Sequence, residues 1–131
     1  MKHNPVVHFE IYVNDMARAK AFYQALFEIE LVQMPSPTPE MEMDMWFFPM
    51  DKENGMNYYG AGGSLVKMAG YTPGSGGTLV YFGCDDCGVT ADRAVAHGGS
   101  VHQHKMSIGD HGFCAVVGDT EGNLIGLHSM Q

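Results

Sequence analysis

Residues 6–16 read Val6-Val7-His8-Phe9-Glu10-Ile11-Tyr12-Val13-Asn14-Asp15-Met16. Val7, Phe9, Ile11 and Val13 alternate with His8, Glu10 and Tyr12, the two-residue period of a strand with one packed face. Asn14 or Asp15 then offers a helix cap, and Ala19, Phe22, Tyr23 and Leu26 follow at the i, i+3, i+4, i+7 spacing of an apolar helical stripe. That stripe must lie on the packed face of the sheet to which the strand belongs. The same plan returns 71 residues later: Phe9 falls on Val80, Ile11 on Phe82, Val13 on Cys84 and Asp15 on Asp86. Cys87, Ala91, Ala94 and Val95 form the second helical stripe, and Gly98-Gly99 stops it.

Three strand-like stretches follow each helix: 29–34, 43–49 and 62–68 in the first half, 100–106, 112–118 and 123–129 in the second. The chain therefore reads as βαβββ written twice, an α+β domain of two helices and eight main strands. The first module covers about residues 6–69, a turn-rich joint about 70–77, and the second module about 78–131. Three prolines within Pro35–Pro39 and the run Asp119-Thr120-Glu121-Gly122-Asn123 mark two further loops. Two such sheets side by side curve into one eight-stranded mixed sheet, a cup whose inner wall carries the polar alternates.

At 131 residues the chain is one domain, able to bury a core without disulfide or metal staples. Fifteen Asp and Glu against seven Lys and Arg give a net charge of −8, which repels phosphate backbones and anionic lipid, so neither nucleic acid nor membrane is an expected partner. No apolar run reaches the length of a membrane span, the start of the chain lacks a secretory signal pattern, and three cysteines do not make a disulfide framework; a cytoplasmic location is expected. Cys84-Asp85-Asp86-Cys87 has redox-motif spacing, but two acids between the thiols disfavour thiolate, so core packing for Cys84 and a first-turn helix position for Cys87 are expected.

The order of these features resembles the vicinal-oxygen-chelate superfamily, the glyoxalase, bleomycin-resistance and extradiol-dioxygenase group. His8-Phe9-Glu10-Ile11 running into Asn14-Asp15-Met16 and Ala21-Phe22-Tyr23, Val80-Tyr81-Phe82 before Asp85-Asp86, Gly98-Gly99, and Asp119–Asn123 before a last strand carry the resemblance over nearly the whole chain. It implies paired βαβββ modules in a cup, usually completed by dimerisation. Its chemistry ranges from lyase and dioxygenase reactions to drug sequestration, so the fold alone selects none of them. Metal-using members carry one ligand on the first and one on the last strand of each module. Those positions fall here on His8, near Ser64, on Leu79 or Thr78, and on Gly126. One of four is kept, so no metal cofactor is expected; His8 would be the first candidate ligand if one were bound.

His8, Glu10 and Tyr12 project from one face within roughly 14 Å of strand. They offer an imidazole, a carboxylate and a phenol, an acid–base set as well as a set of hydrogen-bonding anchors. Glu10 and Tyr12 are the candidate catalytic residues. Ligand contacts are expected from His8, Glu10, Tyr12, Tyr81, Trp46 and His128, with Lys67 facing either way, and with Lys105 and Phe113 in a hairpin at the rim of the cup. The His102/His104 pair is a weak metal motif. Six of the eleven methionines (Met34, Met41, Met43, Met45, Met50 and Met56) surround Trp46-Phe47-Phe48, which fits an adaptable apolar pocket, a subunit interface or plain core. Alternation there separates Trp46 and Phe48 from Met45 and Phe47. The reading is a homodimeric small-molecule-binding protein with a metal-free site. The alternative is a metal-dependent lyase or dioxygenase using an unconventional His/Glu site, in which Glu10 takes a proton beside a ligand carbonyl.

Overall fold

Asp15 and Asp86, the two residues that the 71-residue offset superimposes, both cap helices. In the computed structural model, which describes residues 8–36, 42–50, 60–74, 76 and 78–131, the Asp15 side chain accepts from Arg18 N and that of Asp86 from Gly88 N. Each satisfies an amide that the first helical turn leaves without an internal partner. Helix α1 runs Met16–Phe27 and α2 Cys87–Ala96. Gly98, at φ 94°, turns the chain out of α2 as expected. Glu28 does the same for α1 at φ 53°, a left-handed conformation unusual for a side-chain-bearing residue.

Among the described residues the strands are β1 His8–Tyr12, β2 Val32–Met34, β3 Met43–Phe47, β4 Gly62–Met68, β5 Tyr81–Gly83, β6 Ser100–Ser107, β7 Phe113–Gly118 and β8 Leu124–Ser129. They form two four-stranded mixed sheets, ordered β1-β4-β3-β2 and β5-β8-β7-β6, so the architecture is α+β with the twofold βαβββ plan expected. In each sheet the first strand pairs in parallel with the last and the other pairings are antiparallel. Val6, Val7, Pro37, Pro39, Met41 and Met56 lie outside the described residues.

Helix α1 buries its whole predicted stripe and α2 three of its four stripe residues. Ala19, Phe22, Tyr23 and Leu26 of α1 and Cys87 and Ala94 of α2 are at most 1 % exposed, and they share one core with Ile11, Val13, Leu65, Ala115, Val117, Ile125 and Leu127. Val95, assigned to the α2 stripe, faces solvent instead, and Thr90 is buried in that helix. Phe82 joins the halves: its ring meets Phe9 edge-on at 5.5 Å, Phe27 at 4.8 Å and Phe48 at 5.5 Å. Each large apolar side chain so buried contributes about 1.5–3 kcal/mol.

A polar seam reinforces this junction. The turn between β7 and β8 reaches back to the start of α1, where Glu121 Oε1 accepts from Asn14 N (3.1 Å) and Asp15 N (2.9 Å) and its carboxylate takes both Arg18 Nε (2.6 Å) and Nη2 (3.0 Å). Burial alone would raise the Glu121 pKa, but Arg18, Thr120 and the two amides outweigh it and hold the carboxyl at about 2. Asp119 accepts from Tyr23 Oη at 2.7 Å, and Asn123 donates to the carbonyl of Tyr12 at 3.0 Å.

Candidate functional site

Strand register decides which side chains share a face. Each helix covers one face of its sheet and leaves the other, here called the open face, uncovered by helix. On the N-terminal sheet Glu10 lies opposite Ser64, Ser64 opposite Phe47, and Phe47 opposite Val32. The next row on that face is Tyr12, Val66, Met45 and Met34, and His8 stands across from Gly62. The alternate row, Ile11, Leu65, Trp46 and Gln33, belongs to the helix side.

His8, Glu10 and Tyr12 therefore project together, as the alternation of β1 requires, and they interact. Tyr12 Oη donates to Glu10 Oε1 at 2.9 Å, and His8 Nε2 stands 3.9 Å from Glu10 Oε2 and 3.5 Å from Ser64 Oγ. Burial first, and then the hydrogen bond to Glu10, push the Tyr12 phenol up to about 12. Its proton stays in place at neutral pH, so Tyr12 acts there as a donor. Aromatic rings flank the set: Tyr71 lies 5.0 Å from Tyr12 and Phe47 5.6 Å from His8, centroid to centroid.

Trp46 and Lys67, expected among the ligand contacts, face the other way. Trp46 donates Nε1 to Asp44 at 3.0 Å and lies under Lys20 Nζ at 3.2 Å from the ring centroid, while Lys67 stands opposite Asp44. The expected separation of Trp46 from Met45 and Phe47 is present, but the site takes the other half of that pattern. Lys105 and Phe113 are also turned from the open face of the C-terminal sheet. Lys105 belongs to β6, pairs with Asp86 at 2.9 Å and covers the Phe113 ring beside the start of α2. The hairpin expected over residues 105–113 is present, β6 passing through a turn at Gly109–His111 into β7, but these two side chains leave it on the helix side.

Tyr81 and His128 do share the open face of the second sheet, with Gly126 and Gly83 as their respective cross-strand partners. The Tyr81 ring lies over Gly126, where a Cβ would clash with three of its ring carbons; the same relationship holds between Phe9 and Gly63 on the helix side of the first sheet. His128 Nε2 bonds the carbonyl of His111 at 2.6 Å. No hydrogen bond joins this pair to the His8, Glu10 and Tyr12 set among the described residues. A cleft of about 940 Å³ lies between the modules, with Phe9, Phe27, Phe48 and Phe82 in its wall, Tyr81 and His128 also lining it, and the Glu28–Arg93 ion pair (2.8 Å) at its edge. Cys84 is half-buried and donates Sγ–H to the His128 carbonyl, and burial pushes its thiol pKa up, opposite to what a reactive thiolate needs.

Two sheets of order 1-4-3-2, each backed by one helix and repeated in tandem, define a glyoxalase-like fold. A family model described as the Glyoxalase/Bleomycin resistance protein/Dioxygenase superfamily matches residues 6–127, and the chain belongs to that superfamily. Solved structures agree on the fold. A glyoxalase-related enzyme from Fulvimarina pelagi superposes with TM-score 0.66 at 16 % identity, over 97 % of this chain and 88 % of that one. A glyoxalase/bleomycin resistance protein from Albidiferax ferrireducens T118 gives 0.63 at 19 % identity, over 96 % and 98 %. Glyoxalase I from Zea mays gives 0.71 at 21 % identity, over 94 % of this chain and 43 % of the longer plant chain. No curated protein matches the sequence.

The residues present do not fit the superfamily's metal centre. A divalent ion requires three or more convergent donors. His8 and Ser64 supply an imidazole and a hydroxyl, Leu79 supplies none, and Gly126 is the floor for the Tyr81 ring. Among the described residues no group of three His, Cys, Asp or Glu side chains converges.

Proposed function

We propose that this chain is a small-molecule-binding member of its superfamily, with the ligand seated on the open face of the N-terminal sheet and no metal in the site. The observation that carries the reading is the Tyr12 to Glu10 hydrogen bond beside His8, set between aromatic rings on a face that no helix covers. Polar groups gathered at one place on an otherwise apolar wall fix a ligand's orientation, while the wall supplies contact area. Glu10 and Tyr12 are the principal anchors and His8 the third. A thermal-shift screen of metabolites against the native protein and Glu10→Gln tests this: a hit whose shift disappears in the variant supports the site, and hits indifferent to Glu10 and Tyr12 alike remove it.

The same hydrogen bond favours a second reading, a lyase- or dioxygenase-type enzyme in which Glu10 moves a proton and Tyr12 steadies an oxyanion. A base catalyst would keep ligand affinity and lose turnover in Glu10→Gln, whereas a binder would lose affinity. Elemental analysis of protein purified without chelator separates the readings further, because one equivalent of nickel, zinc, iron or manganese favours the enzyme.

We also propose a homodimer. Val32 and Met34 on the edge strand β2, and Tyr81 and Met106 in the second sheet, are 38–51 % exposed, an apolar surface that a second copy would cover. Light scattering at micromolar concentration should give twice the 14.3 kDa chain mass. A cytoplasmic location accords with the three free cysteines.

A further inference from the structure

Resting on the binding reading above, we infer that the Glu10 face selects organic cations, ammonium or amidinium groups that carry an apolar or aromatic body. The strand residues of this face include one carboxylate, Glu10, and neither lysine nor arginine. The described lysines and arginines lie elsewhere: Arg18 pairs with Glu121, Arg93 with Glu28 and Lys105 with Asp86, Lys20 lies over Trp46, and Lys67 is on the opposite face of β4. Glu10 retains 29 % of its side-chain exposure, and Tyr12 occupies only Oε1 at hydrogen-bonding distance. Oε2, with His8 Nε2 at 3.9 Å, is open to an incoming donor.

The surroundings supply the rest of a cation's requirements. Tyr71, half exposed, extends the Tyr12 ring at a 31° tilt, and Phe47 flanks His8. A π-face attracts a cation by about 0.5–2 kcal/mol, depending on desolvation. Tyr12 shares its row with Met45 and Val66, both buried, so the strand beside it carries no competing polar group in that row. An anion placed here meets Glu10 with no countercharge from these strands, and a neutral ligand gains only the apolar contact. A bare divalent ion lacks the donors it needs, as shown above.

Three nearly isosteric probes test the inference: benzylammonium, benzyl alcohol and benzoate, each titrated into the full-length protein while the Tyr12 ring resonances are followed by NMR. Benzylammonium should bind at least tenfold more tightly than benzyl alcohol, and benzoate should leave the resonances unmoved. Glu10→Gln should erase the tenfold preference, with benzylammonium losing far more affinity than benzyl alcohol. Tyr12→Phe, followed on Tyr71, should retain the preference for benzylammonium over benzyl alcohol, since the Glu10 carboxylate stays in place; loss of the preference in this variant counts against the inference. Should Glu10→Gln fail to fold, raising NaCl from 20 to 300 mM over the native protein must weaken benzylammonium and spare benzyl alcohol. Equal affinity for the alcohol or benzoate, salt-independent ammonium binding, or no binding by any probe overturns the inference. The binding reading itself stands or falls on the metabolite screen, where a neutral or anionic hit lost in Glu10→Gln would uphold it and still refute cation selection.

Discussion

Tyr12 and Glu10, two residues apart on one strand, face the same way and hydrogen-bond at 2.9 Å, phenol to carboxylate. The pairing follows from the two-residue period of a strand and requires no tertiary element to bring the partners together.

This bond has a spectroscopic consequence. Tyr12 should titrate at about 12 instead of the usual 10, with burial the larger cause and Glu10 the second. In Glu10→Gln the Tyr12 pKa should move down without returning to 10. A pH titration of the tyrosine Cζ resonances checks both values, and an unchanged Tyr12 in the variant would refute the coupling.

Acid stability should depend on Glu121. Its folded pKa of about 2 lies below the ordinary 4.5, so its contribution is fully present above pH 4.5 and fades as pH falls toward 2. Because Arg18 is half exposed, the contribution is discounted to about 2 kcal/mol. Urea denaturation should show Glu121→Gln weaker than the native protein by roughly that amount at pH 7, with the gap narrowing steadily below pH 4.5.

Two glycines that support aromatic rings should respond differently to alanine. At Gly63 the new Cβ meets Phe9, which is wedged against Phe48 and Phe82, and overpacking there should cost about 1–3 kcal/mol. At Gly126 it meets Tyr81, which is 51 % exposed and free to swing away. The stability cost should fall below about 1 kcal/mol, while the Tyr81 ring resonances shift. Equal losses of stability would contradict the structure.

Glu28→Gly should stabilise the protein. A left-handed residue with a side chain costs about 1–2 kcal/mol relative to glycine, and the exposed Glu28–Arg93 pair returns less than about 1 kcal/mol. A net gain of roughly 0.5 kcal/mol is expected by thermal unfolding after these terms offset; a loss would show that the ion pair outweighs the backbone strain.

The reach of the sequence can be followed residue by residue. The His8, Glu10 and Tyr12 face was legible because one strand sets its own alternation. Asp15 and Asp86 were legible as caps because capping is local. Trp46 was not: its own strand fixes only that it opposes Met45 and Phe47, and the pairing with Leu65 decides which set meets the helix. Lys67 follows the same logic. Lys105 and Phe113 were legible as parts of one hairpin, but the side each faces is set by the pairing of Phe113 with Ser129 and of Lys105 with Asp86, neither of which the hairpin itself dictates. Tyr71 went unnoticed because it sits in the turn-rich joint, and only its bridge to Met68 brings it back over Tyr12. Glu121 read as one residue of a turn, and its partners lie more than a hundred positions away.

That turn sets the order in which the molecule can be completed. When the ribosome has delivered the first βαβββ unit, the amides of Asn14 and Asp15 and the hydroxyl of Tyr23 still await acceptors that residues 119–121 will bring. The nascent N-terminal half is thus unfinished until the turn at residues 119–121 has emerged to join it. The repeated βαβββ plan suggests two interchangeable, separable parts, but here the second half carries the fastening for the first. Severed at the Gly70–Gly77 joint, the pieces are expected to gain order by reuniting, as a split-protein pair.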